Sequence, residues 1–413
     1  MPIKYLIISS IYQSNEQIKV RDFHNLVGRT ARSGMFTEGT IIFSDPFVYK
    51  SSQNEWKWKN YKRLLELNNS ESCSSVLLDL VKPRTINNTK FSAYKIALMY
   101  YDEREKLDIM FKDYYNEYKV EGIINFYQQI VSTLEKLENY VAISIANNDN
   151  QYSNDFIDKM IEGTLVETLA TSEEKKNLKE ILIKMCDYLN TILPNENDKR
   201  LYSKSLISSE NFISLQSELT KFNISFLKED ELLSFVVKMI MKYSSGYSLN
   251  KIENISQVVG IAKMWMKGYS YSDIQSYAIQ NYIKIYRRGR YYPISIEDIV
   301  AICDGDLGYS ASLVISSICE ILATINTQDR YTGVIDNIKS IGKKFKYGLN
   351  DQTEIFVFEL GFNDRYIAQK IALIVGGCNS KNQTKKAIIK MRDEIKILLQ
   401  DLPTLFWDRL ENL

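Results

Sequence analysis

The sequence predicts a mainly α-helical protein that carries a small parallel α/β edge at its N-terminus. Three observations lead there. Two β-branched runs, one around Tyr5 to Ile8 and one at Gly39 to Phe43, flank a short amphipathic stretch. Beyond Pro46 the apolar residues recur at intervals of three and four rather than two, the period of a helix with one buried face. Helix breakers are scarce, with 17 Gly and 6 Pro in 413 residues.

In chain order, residues 3 to 11 and Gly39 to Phe43 (GTIIF) have the apolar continuity of strands in a parallel sheet. Between them, Phe23, Leu26 and Val27 mark a short helix with Asp22 as its expected N-cap and an end near Gly34. The first fifty residues therefore read as strand, helix, strand. Ile124, Tyr127, Ile130, Leu134 and Leu137 share one side of a helix expected over Ile123 to Tyr140, and another is expected over Leu178 to Leu193. Ile388, Met391, Ile395 and Leu398 repeat the pattern near the C-terminus. Polar breaks fall at 147–154, 194–199 and 244–248. They suggest three regions, 1–50, 51–230 and 231–413, with no convincing internal repeat.

Bulk composition excludes several classes. Lys and Arg total 52 against 51 acids, so any nucleic-acid surface must be local. Cys73, Cys186, Cys303, Cys319 and Cys378 are widely spaced and odd in number, which argues for thiols in a reducing cytoplasm and against a zinc site or disulfide framework. His24 is the one histidine, which removes most His-based hydrolase and metal chemistry. No uninterrupted run of about eighteen apolar residues occurs, so no membrane span or membrane partner is expected.

The chemistry is concentrated in Asn25-Leu26-Val27-Gly28-Arg29-Thr30-Ala31-Arg32-Ser33-Gly34, followed by Glu38-Gly39-Thr40-Ile41-Ile42-Phe43. Two arginines three apart would project from one helix face, and Gly28 would permit close backbone approach. Taken alone, an R-x-x-R pair is more often a solvated basic turn. The whole stretch, however, strongly resembles motif VI of superfamily 2 DEAD/DEAH-box-type helicases, whose pattern is Q-x-x-G-R-[AT]-[GA]-R-x-G before a glycine-led strand. Asn25 departs from the usual Gln by one methylene.

The resemblance implies that residues 1–50 are the end of a second RecA-like motor domain. Arg32 would be the arginine finger to the γ-phosphate, Arg29 a second phosphate or coupling contact, and Asn25 and Gly28 nucleotide-binding positions. An arginine suits that task because it stays charged and grips phosphate oxygens with two parallel bonds. Met1-Pro2 looks like the end of the preceding motif V. The chain has no G-x-x-x-x-G-K-[ST] and no D-E-x-[DH], so ATP and magnesium would bind only once a missing motor half, upstream or in a separate chain, completes the cleft.

Val258 to Ser270 is similar to a recurrent helix-Trp-x-x-Gly turn in the ratchet-type helical domains of such helicases, although Trp265 by itself reads as a core anchor with Gly268 ending its helix. Tyr282 to Tyr292 (YIKIYRRGRYY) interleaves Lys284, Arg287, Arg288 and Arg290 with Tyr286 and other tyrosines and contains no acid. Cations can hold phosphates while tyrosines offer stacking faces, so this is the candidate contact for DNA or RNA; a snorkelling helix end and turn is the competing reading. The basic residues of 381–396 accompany an apolar stripe and read as a solvated face. Lys343 to Ile374 resembles a segment of helicases found in bacterial defence loci, with Asp364 and Arg365 expected to cap a helix. The alternative to a split helicase is a helical nucleic-acid-binding or interaction module with a vestigial motor edge.

Overall fold

A computed structural model describes residues 4–13, 16–30, 39–44, 55–66, 75–86, 89–118, 121–148, 151–221, 224, 227–244, 248–287, 289–325 and 331–413. The protein is mainly helical, with short two-stranded sheets. Its contacts gather into two units, Met1–Leu78 and Asp79–Leu413.

The first unit starts with β1 (Tyr5–Ile8), a hairpin of β2 (Tyr12–Gln13) and β3 (Glu16–Gln17), then α1 (Val20–Val27) and β4 (Thr40–Phe43). As the two β-branched runs suggested, β1 and β4 pair in parallel, with Ile7 beside Ile42. Alternation along the strands sends Leu6, Ile8, Ile41 and Phe43 to one face. There Ile8 joins Ile11, Val20 and Phe23 in a core that also takes Tyr61 and Leu64 of α2 (Glu55–Leu65). The region reckoned from residue 51 thus opens with a helix that completes the core of the first unit. On the other face Tyr5, Ile7 and Ile42 are 57%, 66% and 43% exposed, so these strands are buried on one side only.

Helix α1 differs from its expected limits. It begins at Val20 behind Lys19, leaving Asp22 in the first turn, where its carboxylate favours the positive end of the helix dipole. It ends at Val27: the Gly28 amide still donates to the His24 carbonyl at 2.8 Å, but the Arg29 amide has tightened onto Leu26 at 3.2 Å.

In the second unit the expected helices are longer than their apolar stripes, spanning Glu121–Asn147 and Ser172–Ile192. The latter starts at a capping box. The Glu174 amide donates to Thr171 Oγ1 at 3.2 Å, and the Thr171 amide donates to Glu174 Oε2 at 2.8 Å. Met391 breaks the C-terminal stripe into two helices, Lys381–Lys390 and Arg392–Leu399, yet Ile388, Ile395 and Leu399 still meet in one core.

A continuous helix runs from Ile296 to Ile325 and contains a ten-residue π-helical stretch, Ala301–Ser310. Asp306 within it is buried and accepts the Ser248 and Leu249 amides at 3.1 and 2.7 Å, tying down the chain beyond the 244–248 break. This helix is long and apolar enough to cross a membrane, with mean hydropathy 1.5, which counting uninterrupted apolar runs did not reveal. In the fold it is a core element: Ile302, Leu307, Val314, Ile318 and Ile321 are buried.

Candidate nucleotide edge and nucleic-acid interface

Asn25, Gly28 and Arg29 are exposed around the C-terminal end of α1. A Cβ on Gly28 would come within 3.1 Å of the His24 carbonyl, so the glycine keeps the turn close to its helix. Arg29 lies beyond the helix, in that turn. The expectation that Arg29 and Arg32 share a helix face therefore fails at its first member, because α1 stops two residues earlier; Arg32 lies outside the described residues. His24 packs edge-on against Phe23 at 6.0 Å. Its Nε2 and the Thr30 Oγ1 are buried with no hydrogen-bond partner among the described residues.

The tyrosine-rich candidate folds as a β-hairpin, Lys284–Arg287 against Arg290–Pro293, and not as a helix end and turn alone. Gly289 turns the corner with φ +84°, a backbone that a side chain would strain. Register assigns the side chains to faces: Lys284, Tyr286, Tyr291 and Pro293 share one, and Ile285, Arg287, Arg290 and Tyr292 the other. Ile285 is 1% exposed, so the second face looks into the protein at its root. Arg287 is ion-paired with the buried Asp298, whose carboxylate also accepts the Ser295 amide at 2.9 Å. Arg290 lies 6.0 Å over the Tyr292 ring. The fold thus leaves Lys284 and Tyr286 on the outer face and turns Arg287 and Arg290 away from them; Arg288 lies outside the described residues.

Trp265 is the core anchor it appeared to be. It is 2% exposed, its indole N–H donates to the Phe345 carbonyl at 2.6 Å, and Gly268 leaves the helix with φ +80°. Asp364 caps its helix by accepting the Ile367 amide at 2.9 Å. Arg365 does not share the cap: it is the first residue of that helix, and its side chain reaches elsewhere. Its guanidinium lies 4.0 Å over Trp265, and it donates to the carbonyls of Gly348 at 3.0 Å and Tyr269 at 2.7 Å. This joins the C-terminal helices to the Trp265 turn beside an open cleft of about 920 Å³. In the 381–396 patch, Lys381, Arg392 and Lys396 have acidic partners and Lys385, Lys386 and Lys390 face solvent.

One polar cluster was not singled out from the sequence. Glu138 is fully buried on the helix Glu121–Asn147, where Ser209 Oγ donates to its Oε2 at 2.7 Å and Tyr202 Oη at 3.3 Å. Tyr100, Tyr101, Arg104 and Glu135 also act on it. Arg104 pairs with Glu135 at 3.3 Å and with Glu210 at 2.7 Å. Burial, with Glu135 adding to it, pushes the Glu138 carboxyl up to about 7 against the opposing pull of Ser209 and Arg104. A sequence signal existed, because the apolar steps Ile130, Leu134, Ala142 pass through position 138.

Buried Cys186, Cys303 and Cys319 have thiols raised by desolvation, to about 12, 12 and 11, so they are inert core groups; Cys73 lies outside the described residues. No group of three or more His, Cys, Asp or Glu among the described residues could hold a metal ion.

No family model matches the chain. It spans about a third of the length of a curated relative that it matches: over 393 residues it is 21% identical to the Hachiman protein HamB of Bacillus cereus, covering 91% of this chain and 32% of that protein.

Proposed function

We propose that the chain is the C-terminal portion of an ATP-dependent superfamily 2 nucleic-acid helicase, of a kind serving bacterial antiviral defence, and that it acts in the cytoplasm. It supplies the arginine finger, Arg32, and a helical domain that guides a DNA or RNA strand. The single observation that carries this reading is the parallel β1 and β4 pair, with α1 between them in sequence ending at Gly28-Arg29. That is the local frame which the resemblance of residues 25–43 to motif VI implies. Two further observations support it. Parallel sheets are ordinarily covered on both faces, and the exposed Tyr5, Ile7 and Ile42 face suits the remainder of a motor domain. The similarity to HamB extends over nine-tenths of the chain.

ATP with magnesium is then the substrate of the completed machine, and this chain alone does not hydrolyse it. The test joins the chain to a motor half carrying the phosphate loop and D-E-x-[DH] segments and measures nucleic-acid-stimulated ATP turnover. Arg32→Ala should lower the rate by about a thousandfold or more. An unchanged rate removes Arg32 from the role and, with it, the motor reading. A second reading, a helical nucleic-acid module with a vestigial motor edge, draws on the hairpin lying wholly in the second unit.

A further inference from the structure

We infer that the outer face of the 284–293 hairpin, with Tyr282 at its foot, is a stacking platform for the unpaired bases of a single-stranded nucleic acid. This rests on the nucleic-acid reading above and specifies the ligand state that the site takes. The register carries the first part of the argument. A phosphate clamp would set its arginines beside the tyrosines, but Arg287 is ion-paired with Asp298, and Arg290, though exposed, lies with it on the opposite face. Among the described residues the outer face holds one cation, Lys284, beside Tyr286 and Tyr291, which are 46% and 45% exposed with ring centroids 5.1 Å apart. Exposed aromatic faces bind bases without regard to sequence, and they do so where bases are unpaired. Desolvation raises the pKa of the Tyr291 hydroxyl, and Glu253 is close enough to act on it electrostatically and raise it further. Glu253 places a negative charge near the ring, a poor neighbour for a phosphate and an indifferent one for a base.

Tyr282 supplies an independent observation. The helix Tyr271–Gln280 ends in a Schellman motif: the Ile283 amide donates to the Ala278 carbonyl at 2.9 Å and the Tyr282 amide to Ile279 at 3.0 Å. Tyr282 occupies the left-handed position of that motif, φ +54°, where glycine is usual and a bulky side chain is strained. It is the one non-glycine residue with positive φ among the described residues. Its ring recovers nothing from packing, being 84% exposed. Strain kept without a structural return marks a functional position.

The test uses the full chain and measures binding of labelled oligo(dT), oligo(U) and a blunt duplex of matched length by fluorescence anisotropy across a salt series. Single strands should bind better than duplex. The double variant Tyr286→Ala/Tyr291→Ala should weaken that binding by about tenfold or more with little change in salt slope, since each stacked base contributes about that much. Lys284→Ala should instead reduce the salt slope by about one. Tyr282→Gly is the decisive variant: it should weaken single-strand binding while raising the midpoint of thermal unfolding, because it relieves the left-handed strain. Equal binding by the tyrosine variants, a preference for duplex, or no binding of either single strand overturns the platform. So does a lowered midpoint for Tyr282→Gly, which would make the ring structural. None of these outcomes bears on Arg32, whose role is read from ATP turnover.

Discussion

Replacing Glu138 by glutamine should stabilise the helical unit at neutral and alkaline pH while changing little in mild acid. The carboxyl is enclosed by Tyr100, Tyr101, Tyr202 and Ser209, with Arg104 and Glu135 close enough to act on it, and its Oε1 has no hydrogen-bond partner among the described residues. Burial raises its pKa from 4.5 to about 7, so between those values the native protein keeps a proton that the unfolded chain releases. Below pH 4.5 both states are protonated and the site costs nothing. As pH rises the native state loses about 1.4 kcal/mol per unit, reaching about 3 kcal/mol by pH 7 and staying there above it. That is a large part of the 5–15 kcal/mol by which domains are stable, roughly. Glutamine mimics the protonated form and should remove the loss.

Urea unfolding of wild type and Glu138→Gln, followed by far-UV circular dichroism at pH 5 and pH 8, would measure it. Paired surface carboxylates such as Glu218 and Asp230, whose pKa values are lowered by Lys242 and Lys263, contribute equally to both proteins and cancel in the difference. The expected result is a difference below about 1 kcal/mol at pH 5 and about 3 kcal/mol in favour of the variant at pH 8. A variant that is less stable at pH 8, or a difference independent of pH, would refute the reasoning.

Two substitutions probe the Trp265 junction. Gly348→Ala should destabilise by more than about 2 kcal/mol in the same assay, since φ is +59° and a Cβ would lie 2.6 Å from the Trp265 ring. Arg365→Lys keeps the charge but loses the planar stack and one of the two carbonyl contacts. It should cost about 1–2 kcal/mol in denaturant unfolding, and an unchanged midpoint would show that the stack adds nothing.

The sequence by itself determined the helical class, the N-terminal strand-helix-strand order, the Trp265 anchor with its glycine exit and the Asp364 cap. Each is a local matter: a hydrophobic period, a capping oxygen or a φ that suits glycine acts within a few residues, and the chain records it directly. It also located the motif at 25–34 and the aromatic-basic run at 282–292, because composition marks both. What it could not decide is where those side chains point. The run of tyrosines and arginines reads as one patch until two strands pair about Gly289. Period-two alternation then sends Lys284 and Tyr286 one way and Arg287 the other, toward an Asp298 eleven residues along the chain. The end of α1 before Arg29, the packing of α2 into the N-terminal core and the burial of Glu138 belong to the same class. Glu138 is polar in sequence and becomes a proton-holding core residue only when Tyr202 and Ser209, more than sixty residues away, close over it. Such contacts arise between distant segments: the helical period through position 138 marks the buried face, but not the partners that close over it.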